Sequence, residues 1–573
     1  MTIEQTAEMV AERDVSCVLP DGTVLRADVF RPATSAPVPA LLHRTPYSKA
    51  LVWEHHPFDI PRAVAAGYAV VVQDVRGRYA SEGDFSPSVN EAADGAATIA
   101  WLAAAEWCDG LVGMWGSSYT AEVQWSAKTA GAPALRSIAP ALSPAHSSFD
   151  GFRFRGGARE FGSMIGWALG ASEDRIERLT GTERDAAARA HREVVAAYGD
   201  ESLFRLGSWS LVPEGDPMVD WMLRQLAEPY DSPAHDLNKM VGRYDAVDVP
   251  ALLIGGWYDV FLGSTLAHYR VLSERADAGL GPAPRLLIGP WSHMNGSGSI
   301  GDMQFGSASS FDDIGGTGDF TDWHLSWFDE TLRSAEDTLP AAFAFDTGSH
   351  RWHGFDSFPP ASTPEPWFLD DRGALQRTPP QSAGRVDFVA DPADPVPTIG
   401  GATLLGPANP PGPFDQRPLY GRADVVSFRS VALDADVSIG GLVRAAVSFS
   451  TSGEDADLVV RVCDERPDGL SVPVCDGVLR LSATGIDPES GRGTITPPQI
   501  GTASEYLVDL WAAVHTFREG HRIRVDLTWG SSPRWDVNRH VLADPFARIV
   551  PRPATHTIHT GGPSSSRIIL PIL

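Results

Sequence analysis

The sequence is short of cysteine, of basic residues and of long apolar runs, and each shortage excludes a class of protein. Four cysteines in 573 residues, at positions 17, 108, 463 and 475, form neither a C-x-x-C metal motif nor a dense disulfide framework. We expect reduced thiols, with Cys463 and Cys475 as the one pair close enough in sequence for a hairpin disulfide. We predict no metal or other cofactor.

Basic residues are outnumbered, since 46 Lys and Arg stand against 73 Asp and Glu and leave a formal charge of −27. Such a charge opposes binding to nucleic acid or to an anionic membrane surface. No run approaches the ~18 apolar residues of a membrane helix, and the acidic N-terminal residues lack the apolar stretch of a secretory signal. We therefore expect a cytoplasmic protein that acts on a small, neutral or weakly charged molecule. A homodimer remains open.

The pattern of apolar residues divides the chain into four parts. Short apolar strands alternate with helices over residues 1–145 and again over 246–355, which is typical of an α/β domain with a mainly parallel sheet. Residues 146–245 turn helical and polar, so we interpret them as a helical cap inserted between two strands. Residues 356–573 carry alternating strands separated by Gly, Pro and Asp, as in a β-sandwich or jelly roll.

Individual elements follow from hydrophobic periodicity. In the α/β part the predicted strands are 15–19, 24–30, 38–43, 68–73, 111–115, 135–139, 249–256, 286–289 and 339–345, the last of these ending the sheet. The predicted helices are 91–106 and 320–332, with 183–197 and 218–226 in the cap. The C-terminal strands are 426–433, 443–450, 457–463 and 523–527.

One turn in this pattern can carry chemistry. Residues 107–124 read W-C-D-G-L-V-G-M-W-G-S-S-Y-T-A-E-V-Q, where a strand ends at Gly116 and a helix follows at once. Ser117 and Ser118 therefore fall on a sharp strand-to-helix turn, which exposes a hydroxyl beside the free N–H groups of a helix start. An ordinary turn serine is the alternative, because Thr120 replaces the second glycine of G-x-S-x-G.

A serine nucleophile needs a base and a carboxylate that orients the base. I-G-G-W-Y-D ends at Asp259 and L-I-G-P-W-S-H ends at His293, each shortly beyond an apolar strand. Their order along the chain, Ser then Asp then His, is that of α/β hydrolases. Each residue alone also fits a turn, a cap or a hydrogen-bonded loop residue, but together they predict a catalytic triad.

Several motifs resemble one family, the bacterial cocaine esterases, a group of serine hydrolases related to X-prolyl dipeptidyl aminopeptidases and α-amino-acid ester hydrolases. The motifs are R-T-P-Y at 44–47, D-V-R-G-R-Y-A-S-E-G at 74–83, W-C-D-G-x-V-G-M-W-G-S-S-Y at 107–119, G-W-Y-D at 256–259, G-P-W-S-H at 289–293, D-P-A-D-P-V-P-T-I-G-G at 391–401, D-Q-R-P at 415–418 and G-H-R-I-R-V at 520–525. The resemblance implies an α/β-hydrolase domain, a helical cap and a C-terminal jelly roll.

The resemblance also assigns roles to residues. Its G-x-S-Y motif aligns the nucleophile with Ser118 rather than Ser117, and Asp259 and His293 match the acid and the base. It implies an oxyanion hole formed by the Tyr47 hydroxyl and the backbone N–H of Tyr119. Aromatic pocket residues fall on Trp167 and Phe261.

Two departures from the family pattern and one acidic residue bear on the substrate. Ala121 stands where a glycine is usual, which adds a methyl group to the first helical turn without removing the nucleophile. Gly406 stands where an aromatic residue is expected, which predicts a wider pocket. Glu122 lies one helical turn beyond Ser118 and could face the pocket, although we expect a solvated or capping role.

The sequence therefore predicts a cofactor-independent serine esterase that forms an acyl-enzyme with an apolar or aromatic acyl group. Val260 and Leu262 flank Phe261 just after Asp259, in place of the carboxylates that would select a free α-amino group. An acylase, an amino-acid ester hydrolase or an X-prolyl dipeptidyl aminopeptidase is the alternative within the family. A carbohydrate-binding protein with a degenerate hydrolase domain is the alternative of another class.

Overall fold

The computed structural model describes residues 2–5, 8–55, 57–147, 149, 151, 153–206, 208–237, 239–562 and 565–573. Within these ranges the strands are β1 (Thr2–Gln5), β2 (Met9–Val18), β3 (Val24–Pro32), β4 (Val38–Thr45), β5 (Ala69–Asp74), β6 (Cys108–Ser117), β7 (Leu135–Ala141), β8 (Phe154–Arg155), β9 (Ala158–Arg159), β10 (Leu252–Tyr258), β11 (Arg285–Ser292), β12 (Ser299–Ile300), β13 (Met303–Gln304), β14 (Ser309–Ser310), β15 (Asp313–Ile314), β16 (Ala342–Asp346), β17 (Arg351–Phe355), β18 (Thr363–Leu369), β19 (Leu375–Gln376), β20 (Gly384–Ala390), β21 (Val426–Arg429), β22 (Val437–Thr451), β23 (Asp457–Glu465), β24 (Ser471–Arg480), β25 (Ser504–Phe517), β26 (Arg522–Thr528), β27 (Ala554–Thr560) and β28 (Arg567–Ile572). The α-helices are α1 (Lys49–His55), α2 (Ile60–Ala65), α3 (Glu91–Ala103), α4 (Tyr119–Thr129), α5 (Phe161–Arg178), α6 (Gly181–Gly199), α7 (Pro217–Ala227), α8 (Leu262–Asp277) and α9 (Phe320–Arg333).

An eleven-stranded sheet organises the α/β part, in the order β1-β2-β3-β5-β4-β6-β7-β10-β11-β16-β17 across the described residues. From β5 to β16 every neighbouring pair is parallel. At one end of the sheet β1, β2 and β3 pair antiparallel with one another, and at the other end β17 pairs antiparallel with β16. All six residues of β5 are buried, as expected for a parallel strand covered on both faces. The predicted parallel α/β sheet is confirmed.

The prediction that residues 339–345 end this sheet is wrong. They contribute β16, but β17 follows and pairs antiparallel to it, from Ala342 with Phe355 to Asp346 with Arg351. All five residues of β17 are exposed or half-buried. An edge strand of this kind lacks the apolar run that marks a buried strand, so its pattern resembles that of a loop.

Between β7 and β10 the chain is largely helical, and α5 packs against both α6 and α7. The predicted helices 183–197 and 218–226 correspond to α6 and α7. Periodicity does not reveal α5, because glycine is unfavourable inside a helix and α5 contains three. Two of them lie at close contacts. A Cβ at Gly162 would come within 2.3 Å of the Pro533 carbonyl oxygen, and one at Gly166 within 2.7 Å of the Tyr198 hydroxyl.

The C-terminal part is a β-sandwich around its own apolar core. One sheet has the order β19-β18-β28-β22-β27-β20 with β25 also paired to β22, and the other has the order β21-β26-β23-β24. Buried side chains such as Phe449, Val460 and Leu527 fill the space between them. The predicted strands 426–433, 443–450, 457–463 and 523–527 correspond to β21, β22, β23 and β26, so the all-β prediction is confirmed.

The four cysteines are free thiols. Cys475 lies opposite Val462 in the β23–β24 ladder, and Cys463 lies opposite Pro473. Burial raises the pKa of both thiols. Among the residues described, no helix is both long and apolar enough to cross a membrane. In the same ranges, no group of three or more His, Cys, Asp or Glu side chains is arranged to hold a metal ion.

Candidate active site

Ser118 forms the apex of the turn between β6 and α4. Its backbone has φ 61° and ψ −126°, a strained conformation for a residue with a Cβ. The Ser118 N–H donates to the Ala141 carbonyl at 3.0 Å, which ties the turn to the end of β7. A Cβ at Gly116 would lie 2.3 Å from Thr120 Oγ1, so this position has room only for glycine. Ser117, by contrast, is the last residue of β6.

Asp259 and His293 meet at the same edge of the sheet, because the strands before them are parallel neighbours. His293 Nδ1 lies 2.7 Å from Asp259 Oδ1, and both side chains are buried. If Nδ1 carries the proton in this contact, Nε2 is left as the basic nitrogen. A Cβ at Gly256 would lie 2.4 Å from the Trp291 carbonyl oxygen, so the glycine of G-W-Y-D allows the two strands to approach.

Tyr47 follows β4 at the same sheet edge, where it is half-buried and packs edge-on against the ring of Tyr119 next to the nucleophile. Its hydroxyl accepts a hydrogen bond from Trp167 Nε1 at 2.9 Å. Burial raises the pKa of the Tyr47 phenol to about 12, although the Trp167 and Ser118 side chains nearby partly oppose the rise. The phenol therefore stays protonated at neutral pH and can act as a hydrogen-bond donor.

Tyr119 is the first residue of α4, so its N–H has no acceptor within the helix. Its side chain extends away from the turn, where the hydroxyl donates to Glu91 Oε1 at 2.9 Å and accepts from the Ser88 N–H. Glu91 also pairs with Arg44 of the R-T-P-Y motif at 2.8 Å. Burial raises the pKa of Glu91, and the Arg44 guanidinium opposes that rise.

This buried network connects the turn before Tyr47 with the turn at Ser118. Sequence reasoning missed Arg44 and Glu91 as supporting residues. The sequence shows an arginine inside R-T-P-Y and, separately, an acidic residue at the start of a predicted helix. Neither feature indicates that the two are buried together.

A small cavity lies directly over Ser118, with a volume of about 10 Å³, roughly enough for one water molecule. Trp167 and Phe261 both line it, and the Phe261 ring also stands edge-on to the His293 imidazole at 5.2 Å between centroids. The full lining consists of Tyr47, Ser118, Tyr119, Glu122, Pro144, Met164, Trp167, Phe261 and Leu404. The structure thus brings the predicted Tyr47, Ser118, Tyr119, Trp167 and Phe261 to one cavity, with Asp259 and His293 beside it.

Of the two roles expected for Glu122, solvated or capping, the solvated one is wrong. Its side chain is buried and lines the cavity, because residues four apart on a helix point to the same side and Ser118 is the N-cap that precedes this one. Burial lowers the pKa of Arg153 to about 10, and the negative charge of Glu122 opposes that change. Two buried side chains of opposite charge, Glu122 and Arg153, therefore influence each other electrostatically.

The wider pocket predicted from Gly406 is not seen. Gly406 does not border the cavity, whereas Leu404 does. The Tyr198 ring lies 3.4 Å from where a Cβ at Gly406 would stand, so an aromatic residue from α6 fills that space. The methyl group of Ala121 is accommodated in the helix with no exposed surface.

The fold defines the class of protein. A parallel sheet with a strained serine turn after one strand and an Asp–His contact after two others, joined to a β-sandwich, is the architecture of an α/β hydrolase with a C-terminal jelly roll.

Comparison with known proteins identifies the family. The model of the X-Pro dipeptidyl-peptidase S15 family matches residues 21–295, and that of the X-Pro dipeptidyl-peptidase C-terminal non-catalytic domain matches residues 334–569. Cocaine esterase from Rhodococcus sp. (strain MB1 Bresler) is 31% identical over 96% of this chain and 97% of its own. The chain belongs to the cocaine esterase family of serine hydrolases.

Two solved structures have the same fold across the whole chain. An aminopeptidase from a marine sediment Thaumarchaeota archaeon superposes with a TM-score of 0.81 at 23% identity, covering 100% of this chain and 98% of that one. An α-amino acid ester hydrolase superposes with a TM-score of 0.76 at 23% identity and the same coverage. At this identity the likeness concerns the fold alone.

Proposed function

We propose that the protein hydrolyses carboxylic esters with an apolar, aromatic acyl group through an acyl-enzyme at Ser118. The observation that carries this proposal is the 2.7 Å contact between Asp259 and His293 at the sheet edge where the strained Ser118 turn also lies. The cocaine esterase relative supports ester cleavage. The aromatic walls from Trp167 and Phe261 support an aromatic acyl group.

In the proposed reaction His293 takes the hydroxyl proton of Ser118 as Oγ attacks the ester carbonyl carbon. Asp259 holds the imidazole in the required tautomer and stabilises its positive charge. The Tyr47 hydroxyl and the Tyr119 N–H donate to the oxyanion. The intermediate then collapses, the C–O bond to the alcohol breaks, and His293 protonates the departing oxygen. Water, deprotonated by His293, then attacks the acyl-enzyme carbonyl, and the bond to Ser118 Oγ breaks. This step releases the carboxylic acid and restores Ser118.

The test compares two adjacent serines. Ser118→Ala should lower kcat for p-nitrophenyl benzoate by about 10⁶-fold, the scale seen when a nucleophile of this type is removed. Ser117→Ala is the matched control and should keep most of the activity, because Ser117 ends β6 below the turn. A fully active Ser118→Ala variant, with Ser117→Ala inactive, would overturn the assignment.

One observation favours a second candidate function, the cleavage of α-aminoacyl esters or amides. Glu122 places a buried carboxylate in the cavity beside Ser118, and a carboxylate can bind an ammonium group. The charge of Arg153 nearby weakens that attraction, so we favour the apolar substrate. Phenylacetyl and phenylglycyl p-nitrophenyl esters, which differ by one amino group, separate the two. A kcat/KM more than tenfold higher for the phenylglycyl ester would favour the second function.

A further inference from the structure

Trp167 contacts Tyr47 in a way that its role as a pocket wall does not require. Besides lining the cavity, it directs its indole N–H to the Tyr47 hydroxyl at 2.9 Å. Trp167 belongs to α5, whereas Tyr47 follows β4 of the central sheet. The candidate oxyanion donor is therefore held by a side chain from the helical residues between β7 and β10.

The chemistry of this contact fixes its direction. An indole N–H can only donate, so the Tyr47 oxygen must be the acceptor. With one lone pair engaged there, the phenol O–H is free to turn toward the side of Ser118, whose hydroxyl lies close enough to influence the pKa of Tyr47. A hydroxyl that accepts a hydrogen bond is polarised and becomes a stronger donor. Both effects favour a phenol aimed at an oxyanion on the serine side.

A second contact fastens the same two elements. Arg78 is buried, and its Nε donates to the Pro46 carbonyl at 2.8 Å while Nη1 donates to the Ala171 carbonyl at 2.8 Å. Pro46 precedes Tyr47, and Ala171 lies one helical turn beyond Trp167. The backbone before Tyr47 and the backbone of α5 are thus joined through one guanidinium, a link that restrains the position of Trp167 relative to Tyr47.

We propose that Trp167 is a positioning residue for the oxyanion hole and acts through Tyr47. The proposal rests on the function proposed above, because it presumes that Tyr47 donates to the oxyanion of an acylating ester. It assigns α5 a part in the chemical step in addition to its part in the pocket wall.

A double-mutant cycle tests the proposal, with p-nitrophenyl acetate as substrate because its acyl group is too small to depend on the aromatic walls. Tyr47→Phe should lower kcat by about 10² to 10³-fold, the cost of losing one oxyanion donor. Trp167→Phe keeps an aromatic ring but loses the N–H, and should lower kcat by about 3- to 10-fold with little change in KM. In the Tyr47→Phe background, Trp167→Phe should cause no further loss.

The matched control is Trp221→Phe on α7, which removes an indole N–H from a ring 6.5 Å from that of Trp167 and outside the cavity. It should leave kcat unchanged. If Trp167→Phe does not fold, 3-benzothienylalanine at position 167 keeps the indole shape and replaces the N–H by sulfur, and the same loss is expected.

Equal losses from Trp167→Phe in both backgrounds, or an effect on KM alone, would overturn the proposal while leaving ester hydrolysis intact. An unchanged kcat in Tyr47→Phe would overturn it as well. Absence of ester hydrolysis in the wild-type protein would instead contradict the proposed function, and this inference would fall with it.

Discussion

Two regions meet at the candidate active site, and they are built differently. The sheet edge, meaning the turns after β4, β6, β10 and β11, carries Tyr47, Ser118, Asp259 and His293. The helical residues between β7 and β10 contribute Met164 and Trp167 to the cavity. Parallel strand pairing brings the residues of the first region together, whereas side chains such as Trp167 and Arg78 connect the second region to it.

This difference predicts how the two regions respond to mutation. Residues of the sheet edge should control kcat, because they contact the reacting atoms. Residues of the helical region should mainly control which acyl group binds, with Trp167 as the exception through its contact with Tyr47. Three substitutions probe the sheet edge, the link between the two regions and a cavity residue that belongs to neither, beginning with the largest expected effect.

Asp259→Asn should lower kcat by about 10⁴-fold, because an amide in place of the carboxylate stabilises the wrong imidazole tautomer. The fold should remain intact, since the size of the side chain is preserved. Steady-state rates with p-nitrophenyl benzoate measure kcat, and the circular dichroism spectrum checks that the fold is intact. A loss smaller than tenfold would mean that this contact does not orient the base.

Arg78→Met should lower kcat by an intermediate amount, about 10²-fold, because a shift of about 1 Å in Tyr47 is enough to disturb the reacting geometry. It removes both carbonyl contacts, to Pro46 and to Ala171. Arg175→Met is the matched control, since Arg175 also joins α5 to a neighbouring loop but bonds the Phe85 carbonyl. Equal effects of the two variants would show that docking of α5 matters, and not the link to Tyr47.

Glu122→Gln should have the smallest effect on activity, within about threefold in kcat/KM for p-nitrophenyl benzoate. The melting temperature should fall, because the charge that accompanies Arg153 in the buried region is removed. Scanning calorimetry measures the melting temperature, and steady-state rates with p-nitrophenyl benzoate give kcat/KM. A large loss of kcat would instead place Glu122 in the chemical step and add a residue of α4 to those that control the rate.

The sheet edge was accessible to sequence reasoning because the residues that matter follow apolar strands directly. Ser118, Asp259 and His293 could each be located by the end of a buried strand, and parallel strands bring their carboxyl ends to one edge. The resemblance to a family was needed for Tyr47 and for the choice of Ser118 over Ser117. β17 was missed because an exposed edge strand has no apolar run.

The helical region was less predictable for physical reasons, as were Glu122 on α4 and Gly406 in the C-terminal part. Its glycines lower the helix signal of α5 and yet allow the close contacts with Pro533 and Tyr198. Glu122 reads as a surface residue by its charge, and only the three-dimensional position of α4 shows that it faces the cavity. The space beside Gly406 is filled by Tyr198 from a helix about 200 residues earlier in the chain. The residues next to Gly406 in the sequence give no indication of this contact.

The central claim is that Ser118 attacks the acyl group, and the most direct test is to identify the modified residue. The wild-type protein is treated with a fluorophosphonate, digested and analysed by tandem mass spectrometry, using fragment ions that separate residues 117 and 118. We predict one phosphonylated residue, Ser118, with its labelling slowed by a competing benzoyl ester. Modification of Ser117 or of another serine, or no modification of a protein that still hydrolyses esters, would contradict the account.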